Sequence, residues 1–257
     1  MGGGLGLVAL SAIWVARLLL DRDVYVSQLG APSEPTAAVF NAALLALGIG
    51  GVLVAAASRR SIKPARACGR ACRPVPGPAG GGAGGDAGGR AGRGRGPVGT
   101  WSVSATLVFA GAAFVVASRV TCTDGCPVPL TAGSTVQDLV HVSAAAAGFA
   151  AAAWAMLQVG WSWGQGRLGG VPTGVRWASR VAAAAVALCS AAGGLMSVAA
   201  YRTDVGALLE FAAMSIAVLW LVVFAWWVAL DGTASPGRRP VAVRGAPAGP
   251  GGARAAG

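Results

Sequence analysis

The chain has 257 residues, 55% hydrophobic and only 11% charged, with a mean hydropathy of +0.64. A soluble domain carries about a quarter charged residues, so this balance excludes an ordinary soluble globule and points to a membrane protein. The net charge of +11 would suit a nucleic-acid binder, yet most basic residues fall in one inter-helix segment and the C-terminal stretch, as the positive-inside rule produces, rather than along a binding face.

In chain order, the first expected span is Leu5–Leu20, with Arg17 inside it. No basic n-region precedes it and no small-residue cleavage site follows, which reads as a retained helix rather than a signal peptide. A polar loop from Asp21 to Ala37 carries two prolines and Gly30. Span two is Ala38–Ala57, with Asn41 in its first turn and Gly48, Gly50 and Gly51 positioned to permit close helix approach. Residues 58–100 are Gly, Pro, Ala and Arg with few large apolar side chains; such a segment buries too little surface to fold, and a disordered linker is expected. Span three is Trp101–Ser118, followed by a two-cysteine loop, Arg119–Val136, and span four, Gln137–Val159. Spans five and six are Arg180–Ala200 and Ala207–Leu230, and the tail from Asp231 is again Gly, Pro and Arg, expected to be disordered. The expected organisation is helices one and two in 1–57, the linker in 58–100, helices three to six of the same bundle in 101–230 and the tail in 231–257. The fold class is an all-α, six-transmembrane-helix bundle.

Basic residues set the expected orientation. With the N-terminus inside, sixteen of the 20 basic residues lie on the inner side, and Arg17, Arg22, Arg119 and Arg202 on the outer. Both termini and the linker are then cytoplasmic. Trp101, Trp161, Trp163, Trp177, Trp226 and Trp227 all fall near the inner boundary, as an aromatic belt does. Anionic lipid headgroups are the expected partners of the basic inner segments; the GGRAGRGRG stretch superficially resembles an RNA-binding tract, but no nucleic-acid partner is expected. The placement implied is the plasma membrane, multi-pass. All basic residues but Lys63 are arginine, and with the abundant Ala and Gly this suggests a GC-rich genome.

In this topology the polar residues inside the spans share one depth. Arg17, Asn41, Asp138, His141 and Glu210 all sit within about 6 Å of the outer boundary at about 1.5 Å rise per residue, with Arg119 and Arg202 flanking them. Asp138 and His141, the only histidine, are three apart and share a helix face. Ionisable groups inside spans pair with one another. The expectation is therefore a mixed-charge cluster: Arg17 with Asp138 or Glu210, His141 between them, and Asn41 as hydrogen-bond partner. Two readings stay open, a ligand or proton-handling site and an ion-pair clasp that locks the outer helix ends.

Cys122 and Cys126 lie in the outer loop with Gly125 between them, and an oxidising exterior favours a disulfide. A zinc site would want four ligands, and two cysteines, Asp124 and His141 supply the types. Cys68 and Cys72 repeat the spacing in the linker, where a stable disulfide is not expected; Cys189 reads as a packing residue. One histidine cannot provide the paired axial ligands of a membrane cytochrome b. No phosphate-binding loop and no G-x-S-x-G elbow are read from the chain, so neither an ATPase nor an α/β-hydrolase is expected, and no cofactor is expected.

Ordered landmarks then suggest a family. Ser27-Gln28-Leu29-Gly30-Ala31 after the first span, Phe40-Asn41 opening the second, Cys126-Pro127 after the third and Asp138-x-x-His141 opening the fourth together resemble domain-of-unknown-function family 998, multi-pass membrane proteins common in bacteria. The resemblance covers most of the chain except the linker, which looks like an insertion, and the tail. It implies a layout and no activity. The expected function is a non-enzymatic membrane protein with an outward-facing polar pocket for a lipid headgroup or small polar ligand. The alternative is a proton-coupled transporter or membrane enzyme using Asp138, His141 and Glu210. A transporter needs polar groups continuing inward, and only Gln158, Ser190 and Ser197 do. A third reading is a structural partner whose linker, over Pro64–Gly99, tethers a cytoplasmic protein.

Overall fold

The computed structural model describes residues 2–20, 24–61, 101–129, 131–161 and 171–233. Among these residues there are six α-helices and no strand: α1 (Gly2–Leu18), α2 (Ala37–Ser61), α3 (Val103–Arg119), α4 (Val136–Trp161), α5 (Thr173–Val198) and α6 (Thr203–Thr233). A 3-10 turn, Val26–Gly30, stands between α1 and α2. Each helix packs on the next, and α6 closes back on α1 while also touching α2 and α4 across the middle. The result is a ring of antiparallel neighbours with a filled centre.

Several helix boundaries run past the expected ones, most of all at α5, which begins at Thr173 where the expected span began at Arg180. α2 continues through Ser61, so residues 58–61 are helix rather than linker. Ser58 is fully buried and its hydroxyl meets that of Ser104 at 2.8 Å, a contact that continues the α2–α3 packing. α6 likewise extends to Thr233. The remainder of the expected linker (62–100) and tail (234–257) lies outside the described residues.

The surface is inverted relative to a water-soluble protein. Val8, Leu188, Leu195 and Val223 are 56–70% exposed, and large apolar side chains of this kind lie on every helix, where a soluble monomer keeps such patches small. Four helices, over Ala37–Arg59, Val136–Trp161, Thr173–Val198 and Thr203–Leu230, are long and apolar enough to cross a membrane. α1 and α3 are apolar but have 17 residues each, roughly 26 Å at 1.5 Å per residue.

The ring has two distinct ends. At one, Gln158 Nε2 donates to Trp101 O (2.9 Å) and Arg180 Nε to Gly160 O (2.9 Å), and the exposed tryptophans Trp101, Trp161, Trp177 and Trp226 gather there. At the other, called the loop end below, residues 24–36, 120–129 and 131–135 fold over the bundle.

Packing on the α1–α3 side depends on missing side chains. A Cβ on Gly48 would stand 2.7 Å from Gly111 O, and one on Gly111 2.6 Å from Gly48 O. The α2 and α3 backbones therefore touch, as small residues permit at membrane helix crossings. Gly50 meets Gly2 of α1 in the same way.

Candidate functional site

Beneath the loop end lies a cavity of about 490 Å³, within the usual ligand-site range of about 300–1,000 Å³. Its walls are Phe40 and Leu44 of α2, Phe114 of α3, alanines and Phe149 of α4, Ala187, Ala191 and Gly194 of α5, and Met214 of α6. The polar groups that reach it are few: His141, Ser190, Ser197 and Glu210, with Cys126 and the chain at Val26–Ser27 at the roof.

The roof is stitched from two loops. Gln28 is placed by its own turn, its Oε1 accepting from Tyr25 N at 3.0 Å, so that its Nε2 reaches Gly125 O at 3.2 Å. Ser33 N donates to Asp124 Oδ1 (3.1 Å), and Cys122 Sγ lies 3.4 Å from Ser27 O. Cys122 and Cys126 form a disulfide with Cα atoms 5.1 Å apart. Gly125 and Cys126 turn the chain through positive φ (77° and 47°), and Cys126 N returns to Thr123 O at 2.9 Å. Burial pushes the hydroxyl of Tyr25, in the first loop, above its ordinary range; it abuts Gly206 and makes no hydrogen bond of acceptable geometry.

Asp138 belongs to this stitching and not to an ion pair. Its carboxylate, with no solvent exposure, accepts from Thr123 N (2.7 Å), Thr123 Oγ1 (2.9 Å), Thr135 N (2.8 Å) and Thr135 Oγ1 (2.8 Å). Asp138 N reaches back to Thr135 Oγ1 at 3.3 Å. That reciprocity is a capping box at the start of α4, and the Thr-x-x-Asp spacing was a sequence signal for it. The same carboxylate also grips the cysteine loop.

His141, 2% exposed, points its Nδ1 at Ala117 O (3.0 Å) and Val120 O (2.8 Å), at the C-terminal end of α3. Two carbonyls can only accept, which assigns a proton to Nδ1 and, in the neutral ring, leaves the lone pair on Nε2. Glu210 Oε2 accepts from Val26 N at 3.1 Å, and its other oxygen takes no hydrogen bond among the described residues. Asn41 Nδ2 donates to Gly30 O at 3.3 Å, while its Oδ1 is buried without a partner.

The expected mixed-charge cluster is thus not formed. Neither Asp138 nor Glu210 makes an ion pair among the described residues, and His141 stands between α3 carbonyls rather than between carboxylates. Arg17 faces the opposite groove, between α1 and α6, with its guanidinium 5.8 Å from the Phe211 ring centre and Asp204 in the same recess. Arg202 is exposed and lies 3.5 Å from Asp204, a contact worth little in water. All six residues lie toward the loop end of the bundle, and the helix faces they occupy divide them. His141 and Glu210 reach the cavity, Asn41 and Asp138 hold its roof, and the two arginines lie elsewhere.

Reasoning from sequence also missed residues. The polar lining includes Ser190, whose hydroxyl is buried without a partner, and Ser197; Gln158 instead holds Trp101. The alanine and glycine faces of α4 and α5 that leave the space open carry no periodic signal. Gly160-Trp161-Ser162-Trp163-Gly164 spells the G-x-S-x-G pattern, but α4 leads into it where a nucleophile elbow follows a strand, and Ser162 lies outside the described residues. The landmark residues Ser27–Ala31, Phe40, Asn41, Cys126, Asp138 and His141 all converge on the loop end. Comparison with family profiles, with characterised proteins and with solved structures finds no match to the chain.

Proposed function

We propose that this chain is a six-span protein of the plasma membrane, with both termini on the cytoplasmic side, whose cavity binds an amphiphilic molecule. Its polar or cationic head meets Glu210 beneath the roof, and its apolar part lies along the alanine faces of α4 and α5. The observation that carries this reading is a carboxylate with one oxygen held by Val26 N and the other without a hydrogen bond among the described residues, lining a largely apolar cavity whose other polar side chains are few. A carboxylate in such surroundings is costly unless a donor or cation completes it. The convergence of the landmark residues on the roof supports the proposed kinship with domain-of-unknown-function family 998. The arginine distribution supports the orientation.

Gly194 provides the test, because it lines the cavity and a Cβ there meets nothing within 4 Å. Gly194→Leu adds bulk to the lining from a position where the Cβ itself meets no neighbour. Native mass spectrometry of the chain purified in mild detergent is expected to show a co-purified amphiphile that this variant lacks, with head selectivity altered in Glu210→Gln. Equal retention of small molecules by wild type and Gly194→Leu refutes the reading. For orientation, single cysteines are placed at positions 80 and 132 in a background lacking Cys68, Cys72 and Cys189. An impermeant thiol reagent on intact cells is expected to label position 132 alone.

A further inference from the structure

We propose that, in its dithiol state, the cysteine loop forms with His141 a site for one thiophilic cation, zinc(II) or copper(I), and that the disulfide is the metal-free state of the same site. The ligand atoms of Cys122, Cys126 and His141 all lie within 4.8 Å of one another. Three intervening residues between the cysteines fall within the spacing of about two to four found in structural zinc sites.

The histidine already makes the backbone contact that a metal-ligating imidazole makes with its other nitrogen. A ligating imidazole characteristically donates its other N–H to a backbone carbonyl or carboxylate, which fixes both the tautomer and the ring plane. Here Nδ1 faces Ala117 O and Val120 O, so Nε2 carries the free lone pair. The sulfurs are held as firmly. Asp138 clamps Thr123, the neighbour of Cys122, through backbone and side chain, and the positive-φ turn at Gly125 and Cys126 brings the second sulfur back over the first. Two thiolates and a neutral imidazole suit zinc with an open fourth position, or copper(I), for which soft thiolates are selective. Cys126 and His141 both line the cavity, so that fourth position opens onto it.

The two states interconvert by balanced steps. A thiolate of an external dithiol attacks the half-exposed Cys126 Sγ, and the Cys122 sulfur leaves and takes a proton. The reductant's second thiol then attacks the mixed disulfide, releases Cys126 and departs as a disulfide. The loop has gained two electrons and two protons. The cation displaces those two protons when it binds. None of this depends on whether the cavity holds an amphiphile.

The test uses the full chain in detergent with Cys68, Cys72 and Cys189 replaced by serine, which removes the other thiols. The protein is compared oxidised and after reduction with a phosphine, each titrated separately with Zn²⁺ and with Cu⁺ held by a competing chelator. The reduced chain is expected to bind one equivalent and the oxidised chain none, with the two titrations deciding which ion is preferred. Bound metal is expected to protect Cys122 and Cys126 from alkylation. Cys126→Ser and His141→Ala are each expected to weaken binding at least about tenfold, the lower range for losses around metal ligands. Reduced and oxidised chains that bind equally overturn the proposal, and so does reduced-chain binding unchanged in His141→Ala. Because the first comparison uses one chain in two redox states, it holds even if a variant misfolds.

Discussion

The two sides of the ring use small residues to opposite ends. Between α2 and α3, Gly48 and Gly111 bring backbones together until a Cβ at either would strike the other's carbonyl. Between α4 and α5, alanines and Gly194 leave room instead, and a Cβ at Gly194 meets nothing. The first side is held from within by van der Waals contact, which drives helix association where lipid is as apolar as the helices. The second is tied at the opposite end, where Arg180 Nε donates to Gly160 O, and stands open beneath the stitched loops. Composition alone does not separate these uses; what a glycine faces does.

Substitutions sharpen this comparison. The largest effect is expected from Asp138→Ala, which removes the α4 cap and orphans the N–H groups of Thr123 and Thr135. An N-cap loss of about 0.5–2 kcal/mol and about 1–3 kcal/mol for a buried unsatisfied group make a total of about 4 kcal/mol, read as a fall in denaturation midpoint in detergent. Gly48→Leu drives a side chain into backbone and is expected to cost about 3 kcal/mol, the upper end for overpacking. A midpoint unchanged in Gly48→Leu breaks the contact account of the first side. Gly194→Ala is expected to move the other way, by about 1 kcal/mol, because a poor helix former is replaced by a good one whose Cβ meets nothing within 4 Å. Tyr25→Phe is expected to be smallest, within about 0.5 kcal/mol and of stabilising sign, since the hydroxyl it removes is buried without a partner.

Legibility divided along a physical line. The apolar runs made the helices readable to within about four residues except at the start of α5, where Thr173–Ser179 carries Arg176 and polar groups and reads as loop. Depth along each helix put Arg17, Asn41, Asp138, His141 and Glu210 at one end. Rotation about each helix axis was not readable. Helices that are apolar all round carry no stripe to say which way a residue faces, so Arg17 was assigned to carboxylates that the fold turns away from it. A double-mutant cycle of Arg17→Leu with Asp138→Ala is accordingly expected to be additive within about 0.5 kcal/mol. Backbone partners were equally invisible: Glu210 is held by Val26 N and His141 by α3 carbonyls, and no side-chain pattern announces such bonds. The capping role of Asp138 was legible in Thr135-x-x-Asp138 but was outweighed by its apparent pairing with His141.

The unequal helix lengths carry a mechanical consequence for the surrounding lipid. α1 and α3 have 17 residues each, while α5 has 26 and α6 has 31, roughly 26, 39 and 47 Å at 1.5 Å per residue. A hydrocarbon layer of about 30 Å is thicker than the short pair and thinner than the long one. In the six-span arrangement, lipid must thin beside α1 and α3, while α5 and α6 tilt or let their ends emerge, each ångström of mismatch costing a fraction of a kcal/mol. Because α2, of 25 residues, stands between the two short helices, the hydrophobic rim of the ring would rise and fall from helix to helix, and the lipid beside it would have to follow that uneven edge.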